Sequence, residues 1–336
     1  MIRFPRSMTL AAMAALAMLL AGPTVAQTKE PLKIGFVYVS PIGDAGWTFQ
    51  HDTGRKEMEK ALAGKVTTKY VESVPEGADA ERVIRDLAQS GNTLIFTTSF
   101  GYMNPTIKVA TAFPNVAFEH ATGYKTAKNV GIYNARFYEG RYLAGIVAGK
   151  MSKTGVAGYV AAFPIPEVVM GINAFARGMR SVNPKAEVKV IWTNSWFDPG
   201  RESEASNTLI SQGADVVFAA AGQTGIGTFN ACQESKKALF IGVDTDQFLT
   251  LTNPGDTILT SAVKRIDVAV FDVVKKALDG KFPGGQNLTY GLVEDGVGLS
   301  PFHDFDPKVP QAIKDAVTKA IADIKAGTVT VPETVK

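Results

Sequence analysis

Short apolar runs and amphipathic stretches alternate along almost the whole chain. The run Ile34-Gly35-Phe36-Val37-Tyr38-Val39 carries no charged residue, the pattern of a strand covered on both faces. Residues 54–62 follow with apolar and charged positions at helical spacing. Further strands are predicted at 66–71, 94–97, 116–119 and 130–133, with helices at 78–89 and 105–112 between them. The second half keeps the rhythm. Strands are predicted at 156–161, 188–192, 216–220 and 239–243, and helices at 168–180, 201–212 and 224–235. Such alternation argues for parallel sheets with helices on both faces, and two blocks argue for two doubly wound α/β domains.

The boundary is expected near residues 133–137, before a helix at 139–150. A strand at 258–264 and a helix at 266–278 arrive just after the second block is complete. They are expected to cross back to the first domain. The expected division is therefore 31–134 plus about 258–298 for the first lobe, and 135–257 plus about 299–336 for the second. A last helix is predicted at 309–325. Few crossover segments between two such domains make a hinge, and ligand clefts commonly lie there.

Arg3 and Arg6 precede an apolar stretch from Met8 to Ala21, and Thr24-Val25-Ala26 supplies small residues. This is the pattern of a secretory leader, residues 1–26, cut after about Ala26. The stretch is shorter than the roughly 20 residues that a membrane span needs. The product is expected to be soluble and periplasmic. Without Arg3 and Arg6 the formal charge falls from +3 to +1, so charge gives no reason to expect nucleic acid or a membrane surface as partner. The one cysteine, Cys232, allows no internal disulfide and is expected to be buried and inert.

Enzyme signals are sparse. No dinucleotide-binding glycine fingerprint, Walker A sequence or zinc-protease motif is present. Gly145-Ile-Val-Ala-Gly149-Lys150-Met151 is too short for a phosphate loop and lacks its hydroxyl, so it reads as a small-residue helix face. Thr97-Thr98-Ser99-Phe100-Gly101 follows a strand, but Thr97 stands where a nucleophile elbow needs glycine. His51, His120 and His303 lack ligand spacing and are expected in polar roles at or behind a cleft, with no metal and no cofactor.

The polar and aromatic residues at strand ends form a more coherent set. The first strand runs into Asp44, Trp47 and Thr48, the third into Ser99-Phe100-Gly101, and the fourth into Glu119-His120. In the second block Trp196 and Asp198 follow one strand, Gly222-Gln223-Thr224-Gly225 the next, and Asp244-Thr245-Asp246 the last. The carboxyl edge of an open α/β sheet is where ligands bind. One Trp-bearing loop per domain suits a flat heteroaromatic ligand, with acids accepting from ring N–H, amine or sugar hydroxyl groups. Trp192, inside its strand, is assigned to the core.

With Gly140-Arg-Tyr-Leu-Ala-Gly145, Gly171-Ile-Asn-Ala-Phe-Ala-Arg-Gly178, Gly213-Ala-Asp-Val216, Gly242-Val-Asp-Thr-Asp246 and Ser261-Ala-Val-Lys264, these residues resemble the basic membrane protein (BMP) family of ABC-transporter substrate-binding proteins, which includes purine nucleoside receptors. The resemblance implies two Rossmann-like domains, a type I periplasmic binding protein-like fold, closing over a ligand. It places Trp47 and Trp196 on the two base-stacking aromatics, Asp244 and Lys264 on residues that hold ribose hydroxyls, and Gly222 on a backbone contact to the ligand. Thr48 stands where the nucleoside receptors carry a base-binding Asn, Glu119 replaces a shorter Asp, and Trp47 is larger than Phe. A longer carboxylate and a larger plate leave less room for a sugar, so an adenine-like nucleobase is expected ahead of a nucleoside. The implied partner is an ABC permease of the inner membrane, with the binding protein itself monomeric and not an enzyme. A binding protein for a sugar or other polar solute, a secreted nucleosidase or hydrolase using Asp44, Asp244 or Ser99, and a sensor subunit are the alternatives.

Overall fold

The computed structural model describes residues 30–220 and 225–334. The first block builds β1 (Leu32–Val37), α1 (Gly46–Ala61), β2 (Val66–Val71), α2 (Ala78–Gln89), β3 (Leu94–Thr97), α3 (Met103–Ala112), β4 (Ala117–Ala121) and β5 (Val130–Ala135). The second builds α4 (Phe137–Met151), β6 (Val156–Ala161), α5 (Pro166–Val182), β7 (Glu187–Trp192), α6 (Pro199–Ser211), β8 (Val216–Ala220), α7 (Ile226–Ser235), β9 (Leu239–Asp244) and the short α8 (Gln247–Thr250). The chain closes with β10 (Ile258–Lys264), α9 (Ile266–Leu278), β11 (Asn287–Tyr290), β12 (Val297–Leu299) and α10 (Gln311–Lys325).

Two six-stranded sheets result, ordered β11-β5-β4-β3-β1-β2 and β12-β10-β9-β8-β6-β7. All pairs are parallel except β10 with β12. In each sheet the chain starts in the middle, steps one way and then reverses, which opens a crevice between β1 and β3 and another between β6 and β8. The first strand shows why both faces are apolar. Ile34 and Phe36 enter the core shared with α9, while Val37 packs on the other side with Ile84, Leu87 and Val109.

The return to the first lobe comes later than expected. β10 pairs with β9, Ser261 opposite Gly242, and so completes the second parallel sheet. Only after Lys264 does the chain cross. α9 packs on α1, so tightly that a Cβ on Gly54 would lie 3.0 Å from Asp267 Cα. β11 then pairs with β5, and the chain crosses back for β12 to pair antiparallel with β10. Strand 258–264 is buried on both faces, which suits either sheet, so its own pattern does not name its neighbour. The small residues of α4 pack as a helix face: a Cβ on Gly145 would lie 2.1 Å from Phe175 O, and one on Gly178 2.0 Å from Tyr142 O. Cys232 is buried, and burial pushes its thiol up to about 12. Among the described residues no helix is long and apolar enough to cross a membrane. The leader read at residues 1–26 lies outside the described residues.

Candidate functional site

A cavity opens where the carboxyl ends of the two sheets face each other. Val39 and Trp47 reach it beyond β1, Ser99 and Phe100 beyond β3, and Thr122 beyond β4. From the other side come Ile165, Glu167 and Val168 beyond β6, Trp196 beyond β7, Ala220 at the end of β8, Val243 and Asp244 at the end of β9, and Lys264 at the end of β10. Arg141, on α4, closes the wall. Both switch points therefore contribute, and the free space among these side chains is narrow, about 50 Å³. That is room for only a few water molecules.

Trp47 is held rigidly. Its indole N–H donates to Thr98 O at 2.6 Å, and its ring lies against His51, with centroids 4.4 Å apart. His51 is wholly buried and burial pushes its pKa down to about 3, so the ring is neutral. A carbonyl only accepts, so His51 Nδ1–H donates to Trp47 O at 2.8 Å, which leaves Nε2 to accept from Tyr133 O–H at 2.6 Å. Lys264 Nζ lies 4.6 Å from the Trp47 ring centre and 3.9 Å from that of Phe137, and 2.9 Å from Asp244 Oδ1. Asp244 takes up a left-handed backbone, φ 71°, tolerable for an aspartate and typical of residues held for a purpose. Trp196 packs at a tilt against Phe163, with ring centres 5.1 Å apart, and has an indole N–H with no hydrogen-bond partner.

Of the residues expected at the site, Trp47, Phe100, Trp196, Asp244 and Lys264 come together here. Three do not line the cavity. Asp44 is exposed in the loop before α1. Thr48 is buried and shares a hydrogen bond of 2.8 Å with Ser40, because α1 begins at Gly46 and carries Thr48 onto its inner face. Glu119 lies mid-strand because β4 runs on to Ala121, so its side chain enters the layer beneath the sheet, between Phe96 and Gly131 in register. There it is fully buried, neither carboxyl oxygen has a partner, and burial raises its pKa well above the usual range. Glu119 therefore takes no room from a ligand. Gly222 lies outside the described residues.

The alternative chemistry finds other partners. Ser99 donates to Glu76 at 2.5 Å, whereas His303 pairs with Asp246 at 2.6 Å and stacks on Phe248. Asp198 caps α6 by accepting from Arg201 N–H at 3.0 Å. Two charged residues of the cavity were not anticipated, Arg141 and Glu167. Their signal was available: Glu167 follows the end of β6 just as Trp47 follows β1, and Arg141 stands in the glycine-flanked run 140–145.

Over residues 32–334 the chain matches Bmp, the family described as ABC transporter substrate-binding protein PnrA-like. It belongs to that family. The Bmp match spans both sheets and every described residue of the cavity. A purine-binding protein of Brucella abortus is 49% identical over 302 residues, covering 90% of this chain and 83% of that protein. A putative ABC transporter glucose-binding protein of Haloferax volcanii is 48% identical over 188 residues, 56% of this chain and 48% of that one. Among solved structures, an ABC transporter solute-binding protein from Aeropyrum pernix K1 has the same fold, with TM-score 0.80 at 24% identity over 90% of this chain and 94% of that one. This Bmp protein is thus an ABC transporter substrate-binding protein with two parallel-sheet α/β lobes, in a family that binds a solute and works with a permease.

Proposed function

We propose that this protein captures a purine between its lobes, an adenine-like base ahead of a nucleoside because Trp47 is a larger plate than Phe, and delivers it to an inner-membrane permease after export to the periplasm. The observation that carries the reading is the meeting of Trp47 from the first lobe and Trp196 from the second at one cavity. The likeness to the purine-binding protein of Brucella abortus supports it. Base–aromatic stacking is worth about 1–3 kcal/mol per base, so two plates supply a large part of the roughly 8 kcal/mol of a micromolar affinity. A fused two-ring heterocycle needs more room than a few waters, so the lobes part to admit it and close on it. The chain has no catalytic role in this reading. Affinity comes from stacking, a few buried hydrogen bonds and closure.

Titration calorimetry with nucleobases, nucleosides and sugars tests this. Binding of a purine base is expected, and W47A and W196A are each expected to weaken it about 5- to 100-fold. Release of base and ribose from an added nucleoside would instead mark an enzyme. A sugar ligand is the second reading, favoured by the name of the Haloferax volcanii relative, since aromatic plates also pack on sugar faces. Binding of glucose with no purine bound would establish it.

A further inference from the structure

We propose that Glu167 selects among purines by accepting a hydrogen bond from an exocyclic amine, an inference that rests on the purine reading above. Glu167 is the second residue of α5, opened by Pro166, and that position sets its carboxylate on the cavity wall. Its Oε1 accepts one long hydrogen bond, from Lys264 Nζ at 3.4 Å, and pairs with Arg141 at 3.6 Å. A well-made charge-assisted hydrogen bond is shorter, about 2.7–2.9 Å. Lys264 sits at that distance from Asp244 instead, 2.9 Å. Glu167 therefore keeps accepting capacity, and an ionised carboxylate can only accept.

Donors flank it. Arg141 is 3% exposed, lines the same cavity and has an Nε–H with no partner. The Trp196 indole N–H is likewise without one. An acceptor beside donors is the complement of an amidine edge, –N=C–NH₂, in which a ring nitrogen accepts and the amine donates. A purine without an amine turns a ring lone pair or a carbon-bound hydrogen toward Glu167 and leaves it unsatisfied, the situation that makes polar sites discriminate strongly. The four charged groups of the cavity, Arg141, Lys264, Glu167 and Asp244, balance one another, so a neutral base enters without leaving a net charge.

The test uses free bases in pairs that differ by one amine: adenine against unsubstituted purine, and guanine against hypoxanthine. The absence of ribose removes hydroxyl donors from the comparison. Calorimetry on the wild-type protein is expected to favour the amine-bearing member of at least one pair by about 10- to 100-fold. In E167A that gap falls below about threefold, and E167Q, which keeps a neutral acceptor, lies between. Equal wild-type affinities within both pairs overturn the proposal whether or not the variants fold. So does a gap that survives in a folded E167A. If none of the four bases binds, the purine reading fails and takes this proposal with it. Binding with no dependence on Glu167 removes this proposal alone.

Discussion

A buried carboxyl group with two unpartnered oxygens is costly, and Glu119 is one. Met fills a similar volume without polar atoms, so E119M is expected to stabilise the protein by about 1–3 kcal/mol in urea denaturation, with ligand affinity unchanged. Glu202 is buried too, and burial pushes it from its ordinary 4.5 up to about 7 despite the N–H of Gly227 that it accepts. Between those values the folded protein holds a proton that the unfolded chain has released, so this residue's contribution falls as pH rises from about 4.5 to 7. E202Q is expected to melt higher than wild type at pH about 8 and level with it near pH 4. His51 and His120 act the opposite way: burial pushes both from 6.5 to about 3, so stability is lost as pH falls through that range. Residue types at strand ends were enough to bring Trp47, Trp196 and Asp244 to the cavity, and Lys264 came from the family resemblance. They were not enough for Thr48 and Glu119, because one residue more or less of helix or strand turns a side chain from cleft to core.

At the scale of elements, α4 and α5 touch through glycine. Ala at 145 would drive a methyl group into the carbonyl of Phe175, and G145A is expected to cost at least about 1–3 kcal/mol in chemical denaturation. G298A, at a site with nothing within 4 Å, is the control and is expected to be near neutral. The alternation of strands and helices was legible because buried strands and amphipathic helices have different periods. The partner of a strand was not. Ile258–Lys264 looks the same whether it closes the first sheet or the second, and the choice is made by β9 beside it and by the crossing that α9 begins.

For the molecule as a whole, a solute that touches both lobes stabilises both. At a hundred times its dissociation constant a purine is expected to add about 2.7 kcal/mol, and calorimetric melting is expected to remain a single transition at higher temperature. The lobes are joined three times, after β5, after β10 and between β11 and β12. That threefold joining has a consequence for the chain as it is made. The first sheet lacks its α9 cover and its β11 edge until synthesis has passed Tyr290, and the second lacks β12 until Leu299. Neither lobe can finish its core on the ribosome while the other waits. The order in which the strands are delivered therefore keeps the chain from folding lobe by lobe and leaves it to fold as a whole once Leu299 has been made.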